Sequence, residues 1–203
     1  MNLLRPDLAL IQEWIRPGSR VLDLGCGDGS LLAALQEQRQ VSGYGLEIDP
    51  ENVATCVRSG VNVIQADIDA GLQQFQSGSF DYVLMTQALQ ALHHPERSLD
   101  EMLRIGRTAI VTFPNFGHWR ARWSLLRGRM PMSAILPQQW YETENIHLCT
   151  VRDFEELCAH NGWQILRRSA VDHDHQDSAM MRLAPNFFAQ IALYMLRAPE
   201  SRS

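Results

Sequence analysis

The sequence contains no lysine, because all eighteen of its basic residues are arginine. Schiff-base catalysis, a phosphate-loop lysine and a Ser–Lys dyad each need a lysine amine, so these three chemistries are excluded. No apolar run approaches the roughly 20 residues of a membrane-spanning helix. The N-terminus also lacks the basic-then-apolar pattern of a signal peptide, so we expect a cytoplasmic protein with no membrane partner.

Cysteine and histidine are present without a metal-ligand pattern. Cys26, Cys56, Cys149 and Cys158 form no CxxC pair, which indicates reduced thiols. The segment His173-Asp174-His175 has suitable ligand types but no third ligand at a telling spacing, so we predict a solvated turn and no metal site. The net charge of −5 gives no general attraction to nucleic acid.

The most informative stretch is an apolar strand followed by three closely spaced glycines and the start of a helix. It reads VLDLGCGDGS over residues 21–30. Gly25, Gly27 and Gly29 carry no Cβ, so the backbone can turn tightly and approach a ligand. The following helix directs its free N–H groups back at the loop, as in cradles for nucleotide-type cofactors.

Two acids beside this loop discriminate between possible cofactors. A dinucleotide loop has the form GxGxxG, whereas Ser30 stands here in place of its third glycine. Asp23 and Asp28 would repel a pyrophosphate but suit the ammonium and sulfonium groups of S-adenosylmethionine (SAM). The sequence therefore favours SAM over NAD, and a turn that binds nothing is the third interpretation. The expected loop ligands are Asp23, Gly25, Cys26 and Gly27.

The ends of the next strands supply further candidate ligands. Glu47 lies about 20 residues beyond the loop, where an α/β nucleotide fold places the acid that accepts the ribose hydroxyls. We favour Glu47 over Asp49 for this role, because Asp49 before Pro50 is typical of a helix N-cap. Ile48, next to Glu47, is included in the expected site.

A second group of candidates follows the third and fourth strands. Asp67 could accept from an adenine amino group, with Ile68 packed on the ring, but a simple loop cap explains Asp67 equally well. Thr86 ends the fourth strand at the sheet edge where ligands of open α/β sheets bind. His93 and His94 come next, and we favour a helix-entry role for them over acceptor chemistry; His118 and His147 stay open candidates.

Seven apolar strands alternate with helical patterns. This alternation predicts an α/β fold with a doubly wound, seven-stranded, mostly parallel, Rossmann-like sheet. Ile191–Arg197 is expected to be the antiparallel seventh strand. The chain length suits a single domain over residues 1–203.

Residues 114–149 form the least regular section, and a loop of this length is usually a lid or a docking insertion. Arg120, Arg122, Arg127 and Arg129 interleave there with Trp119 and Trp123. The pattern fits a carboxylate-binding lid, a protein-docking face, or a solvated helix with its tryptophans in the core. We favour docking, because Arg and Trp are enriched at interface hot spots.

With these parts placed, the chain resembles the class I SAM-dependent methyltransferases, and more narrowly the methionine biosynthesis protein MetW family. The fold-level resemblance rests on VLDLGCGDG, YGLEID, QADI and FDYVLMTQALQALHHP. The narrower one rests on QALQALHHPERSLDEMLRIGR, VTFPNFGHWRARW and NIHLCTVRDFEELC. The resemblance implies binding of SAM or S-adenosylhomocysteine (SAH). It also implies a partner, a MetX-type homoserine O-acyltransferase, while no methyl acceptor is firmly attached to the family.

Two functions follow from this interpretation. The first is a SAM- or SAH-binding accessory protein that docks on the acyltransferase through Trp119, Arg120, Arg122 and Trp123 and sets its activity. The second is a methyltransferase whose lid arginines hold a small acidic metabolite. The sequence identifies no catalytic residue for the second function, so whether the chain is itself an enzyme stays undecided.

Overall fold

The computed structural model describes residues 6–131, 146–171 and 183–199. One seven-stranded sheet carries the fold in these ranges. Its strands, numbered along the chain, are β1 (Arg20–Leu24), β2 (Ser42–Glu47), β3 (Val63–Gln65), β4 (Phe80–Thr86), β5 (Gly106–Pro114), β6 (Gln164–Val171) and β7 (Ile191–Arg197). Their order across the sheet is β3-β2-β1-β4-β5-β7-β6, and β7 runs antiparallel to both of its neighbours.

Helices join the strands, and most begin where the sequence carries a capping signal. They are α1 (Pro6–Trp14), α2 (Ser30–Arg39), α3 (Pro50–Arg58), α4 (Pro95–Ile105), α5 (Trp119–Leu126), α6 (Val151–Asn161) and the short α7 (Pro185–Phe188), with a 3₁₀ turn at Leu89–Ala91. Asp49 accepts from the Glu51 N–H at 2.8 Å and so caps α3. Thr150 and Asp153 form a reciprocal capping box at the start of α6.

The core lies on both faces of the sheet. Along β4, Tyr82 and Leu84 pack into one apolar cluster, and the alternate residues Val83 and Met85 pack into the other. A strand covered on both faces needs a continuous apolar run rather than an alternating one, which is the pattern that β4 has. The sheet is thereby fixed from both sides, and the carboxyl ends of its parallel strands form one edge.

The structure confirms the predicted fold class and corrects several details. β7 spans Ile191–Arg197 and is antiparallel, as expected. The section 114–149 is more regular than predicted, because it contains α5; its residues 132–145 lie outside the described ranges. Trp119 and Trp123 are 41% and 52% exposed, so the alternative that places these tryptophans in the core is wrong. The predicted polar turn at 172–177 also lies outside the described residues.

Candidate functional site

The glycine loop lies where three parallel strands end together. Leu24 at the end of β1 is in register with Leu46 of β2 and with Met85 of β4. The backbone N–H groups of Gly25 and Cys26 donate to the Leu46 carbonyl at 2.9 and 3.0 Å, which ties the loop to the end of β2. The loop therefore leaves the sheet at its carboxyl edge, the edge that binds ligands in open α/β sheets.

Gly25 is the point where segments following three different strands approach one another. Its φ is +68°, in the left-handed region that favours glycine. A Cβ at this position would meet the Ala88 Cβ at 3.1 Å and the Ile68 Cδ1 at 3.9 Å. The predicted ligands Gly25 and Ile68 are therefore neighbours. Ala88, which follows Thr86 and Gln87 after β4, joins them but was not among the predicted ligands.

Gly27 has the backbone of a cradle and open space in front of it. Its φ is +56°, and apart from its chain neighbours no atom of the described residues lies within 4 Å of the position that its Cβ would take. The next glycine differs, since a Cβ on Gly29 would meet the Cys56 Sγ at 2.8 Å. Gly27 thus offers room for a ligand at the loop, while Gly29 is needed for packing against α3.

Glu47 is the acid best placed to meet a ribose. Its side chain is only 8% exposed. Oε2 accepts from the Gly27 N–H at 2.8 Å, and Oε1 accepts from the Ile48 and Asp49 N–H groups at 2.8 and 3.0 Å. These three donors hold the carboxylate in place. The same carboxylate therefore links the end of β2 to the glycine loop.

The remaining predicted ligands lie around this centre. Ile48 is 60% exposed beside Glu47, which suits an apolar contact with a flat ring. Asp67 is exposed, and its Oδ1 accepts from the Asp69 N–H at 2.9 Å, so it caps its own loop. That bond uses only one of the two carboxylate oxygens, so it does not exclude the predicted contact of Asp67 with an adenine amino group. Thr86 is half-buried and in register with Thr112 of β5.

The Cys26 side chain lies behind the loop rather than in front of it. A Cβ on Gly45 would collide with its Sγ, and that Sγ lies 3.8 Å from the Cys56 Sγ. The Cys56 thiol donates to the Gly27 carbonyl at 3.2 Å. Burial raises the pKa of both thiols, which keeps them protonated and inert. Only the backbone of Cys26 is therefore left to face a ligand.

The two acids flanking the loop differ in position. Asp23 is buried at the end of β1, 1% exposed. Asp28 is exposed, and its Oδ1 accepts from the Ser30 N–H at 3.0 Å, so it supports the first turn of α2. Both acids thus lie at this edge of the sheet, where carboxyl groups suit a cationic ligand better than a pyrophosphate.

His93, one of the candidate histidines, is held in position by Asp69. The His93 ring lies 2.8 Å from the Asp69 carboxylate through Nδ1, and the His93 backbone N–H also donates to Asp69. The hydrogen bond that the His93 ring donates to the Asp69 carboxylate raises the pKa of His93. Partial burial acts to raise the pKa of Asp69, but the bonds from His93 outweigh it and lower that pKa. Asp69 therefore holds the His93 ring, a contact that the sequence did not indicate.

The other histidines have different surroundings. His94 precedes α4 as predicted but makes no side-chain capping bond. His118 is buried and caps α5, with its Nδ1 accepting from the Arg120 N–H at 3.3 Å. His147 is exposed, and its backbone N–H donates to the Gln90 carbonyl at 2.8 Å. No ring among these three is directed at an acceptor by a contact that the structure describes.

The described residues contain neither a cluster of metal ligands nor a membrane-spanning helix. No group of three or more His, Cys, Asp or Glu side chains in them could hold a metal ion, while His173-Asp174-His175 lies outside the described part of the chain. None of the helices described is long and apolar enough to cross a bilayer.

The sheet order and the glycine loop define the class to which the fold belongs, that of the class I SAM-dependent methyltransferases. A methyltransferase from Mesorhizobium loti superposes with a TM-score of 0.70 at 16% identity, covering 96% of this chain and 98% of its own. A putative methyltransferase solved in complex with the Trm112 activator of Haloferax volcanii gives 0.69 at 17% identity, covering 97% and 90%.

The chain belongs to the family described as methionine biosynthesis protein MetW, whose sequence model matches residues 5–196. A relative from Rhodopirellula baltica, the bifunctional methionine biosynthesis protein MetXA/MetW, is 37% identical over 164 residues. That match covers 76% of this chain but only 26% of the relative. The chain thus spans about a quarter of the length of this relative.

Proposed function

We propose that this protein binds SAM or SAH in the crevice at the carboxyl ends of β1, β2 and β4. The observation that carries the proposal is the Glu47 carboxylate, which is held by the Gly27 N–H beside a glycine loop with open space in front of it. The sulfonium and ammonium groups of SAM complement the acids at this edge. The family membership and the fold support the same ligand.

We further propose that the protein acts on a MetX-type homoserine O-acyltransferase as its partner and regulator. The family assignment supports a place in methionine biosynthesis, and the R. baltica relative carries the names MetXA and MetW on one chain. The putative methyltransferase of the Trm112 complex is a fold relative solved with a protein partner. SAM is made from methionine. The fraction of this protein with SAM in the crevice would therefore signal to the acyltransferase how much end product is available.

Regulation of this kind depends on the coupling between ligand binding and docking. A ligand can shift the complex only as far as its affinities for the free and docked forms differ. By reciprocity, the acyltransferase must change the SAM affinity of this chain by the same factor.

The experiment co-purifies the two proteins and measures acyl-transfer rates with and without this chain, SAM and SAH. We expect association, a changed rate, and a further change on adding ligand. Glu47→Ala should keep the association but remove the response to ligand. Absence of association together with unchanged rates would contradict the partner role.

A methyltransferase acting on a small acidic metabolite is the second candidate, and the Asp69–His93 pair favours it. The pair lies at the ligand-binding edge of the sheet, and Asp69 fixes the ring with one nitrogen bonded, as a general base requires. Incubation with labelled SAM and a metabolite extract tests this candidate. Label that moves to an acidic product, and stops moving in His93→Ala, would support it; label that never leaves SAM would count against it.

A further inference from the structure

The outer surface of α5 is exposed along its whole length. None of its residues is buried, and Leu126 is 79% exposed. Apolar side chains of this size rarely stand together in solvent unless they serve an interaction. The helix is well ordered at its start, where His118 caps it and where Arg122 Nε donates to the Gly117 carbonyl at 2.6 Å.

The short helix α7 extends this surface. The Arg122 guanidinium lies 5.7 Å from the centre of the Phe187 ring, and Phe187 is itself exposed. Asn115 Nδ2 donates to the Asn186 carbonyl at 3.2 Å, which joins α7 to the end of β5. We use the term α5–α7 face for the surface formed by Trp119, Arg120, Arg122, Trp123, Arg127 and Phe187.

Positive charge on this face has no negative counterpart within the described structure. The sequence from 115 to 131 holds four arginines and no acid. The Arg120 and Arg127 guanidiniums lie over the Trp119 and Trp123 rings, at 5.3 and 4.9 Å from the ring centres. No carboxylate of the described residues lies within ion-pair distance of these arginines, whereas Arg104, Arg152 and Arg168 each pair with a glutamate.

We propose that the α5–α7 face docks onto a carboxylate-rich surface of the homoserine O-acyltransferase, an inference that rests on the function proposed above. Exposed tryptophans flanked by arginines are the residue types that dominate protein interface hot spots. Planar guanidiniums held over indoles are ready to pair with carboxylates. Nucleic acid and anionic membrane fit less well, because the rest of the chain brings the net charge to −5.

The α5–α7 face is joined to the ligand edge by hydrogen bonds. The Gln87 N–H, next to the glycine loop, donates to Thr112 on β5, and Gln90 Nε2 donates to the Pro114 carbonyl at 3.1 Å. Asn115 follows at once and ties α5 to α6 and α7. The proposed docking surface therefore begins at Trp119, five residues beyond Pro114.

The test measures the affinity for the acyltransferase by titration calorimetry at low and high salt, using the full-length chains. We expect Trp123→Ala and Arg127→Glu each to weaken binding by about tenfold or more. Arg97→Glu, the same charge change at an exposed position on α4, should stay within about twofold. Binding of the unmodified chain should weaken as salt rises. Unchanged thermal melts and SAH binding establish that the variants fold.

Each outcome bears on the proposal. If the unmodified chain binds the acyltransferase and Trp123→Ala and Arg127→Glu bind it equally well, the assignment of docking to the α5–α7 face is wrong while the proposed function stands. If the unmodified chain binds no acyltransferase, the proposed function and this docking surface fail together. Vesicles rich in anionic lipid form a further arm, and binding to them that is lost in both α5 variants would replace protein docking by membrane docking.

Discussion

At the scale of single residues, the glycine loop depends on backbone geometry that side-chain chemistry cannot replace. Gly27 and Gly60 both have positive φ values, +56° and +74°, and at neither position would a Cβ come within 4 Å of another atom in the described ranges, chain neighbours aside. They differ only in location, because Gly27 faces the crevice and Gly60 follows α3. The pair therefore separates the cost of strained backbone from the cost of a blocked ligand site.

Gly27→Ala and Gly60→Ala should each lower the free energy of unfolding by about 1–2 kcal/mol, since both force an L-residue into the left-handed region. Only Gly27→Ala should also lose the rise in melting temperature that SAM or SAH produces. Urea unfolding and thermal shift check the two parts. A full ligand shift in Gly27→Ala would show that the open space before this glycine is not the ligand site.

Glu47 combines a structural and a binding role, so its replacement should show both. Glu47→Ala leaves the N–H groups of Gly27, Ile48 and Asp49 without their acceptor, which we expect to cost about 1–3 kcal/mol of stability. Asp49→Ala removes only the cap of α3 and should cost about 1 kcal/mol. The ligand shift should disappear in Glu47→Ala and persist in Asp49→Ala. Loss of the shift in both variants would assign the effect to general loosening.

The Asp69–His93 pair predicts a defined pH dependence. His93 has a pKa raised above its ordinary 6.5, so the stability that the pair contributes is fully present below that value and is lost as pH rises through the folded pKa. Asp69 has a lowered pKa, so the contribution is also lost when pH falls through that lower value. NMR titration of the His93 ring should give a pKa above 6.5, and Asp69→Asn should return it to the ordinary range. An ordinary pKa in the unmodified chain would contradict the pairing.

At the scale of elements, Asn115 joins the end of β5 to three helices. Its Oδ1 accepts from the Gly117 and Val151 N–H groups, and its Nδ2 donates to the Ala189 and Asn186 carbonyls. The side chain is buried, so none of these groups can turn to water instead. Its four bonds place the starts of α5 and α6 against α7.

Asn115→Ala should therefore lower the free energy of unfolding by about 3 kcal/mol, because buried backbone groups lose their partners. Thr150→Ala, which removes one arm of the capping box at the start of α6, should cost only about 1 kcal/mol. Chemical unfolding measures both. Equal effects of the two variants would mean that Asn115 acts as a simple cap rather than as the junction of three helices.

The positions of elements could be predicted where the sequence signal was local, and the prediction failed where it was not. β4 and the start of α3 could be predicted from the sequence. Burial on both faces requires a continuous apolar run, as in β4, and N-capping produces the Asp49-Pro50 signal of α3. α5 was not predicted as a definite helix. Its exposed face carries tryptophan, so no apolar stripe in the sequence distinguishes an inner side from an outer one. The Asp69–His93 pair and the approach of Ala88 to Gly25 join residues from separate loops, and only the folded sheet brings them together.

At the scale of the whole molecule, charge is distributed unevenly. The chain carries a net charge of −5, yet residues 115–131 contribute four arginines without an acid. The acids of the glycine loop follow β1 and the arginines of α5 follow β5, both at the carboxyl ends of parallel strands. A cationic cofactor and an acidic protein surface can therefore be attracted to different parts of the same molecule.

The central claim is that the acid-lined glycine loop binds an adenosyl sulfonium compound and rejects a dinucleotide. Titration calorimetry of the unmodified chain with SAM, SAH and NAD tests it most directly. The account predicts saturable one-site binding of SAM and SAH, lost in Glu47→Ala, and no heat from NAD at the same concentrations. Binding of NAD, or no binding of either adenosyl compound to the folded chain, would contradict it.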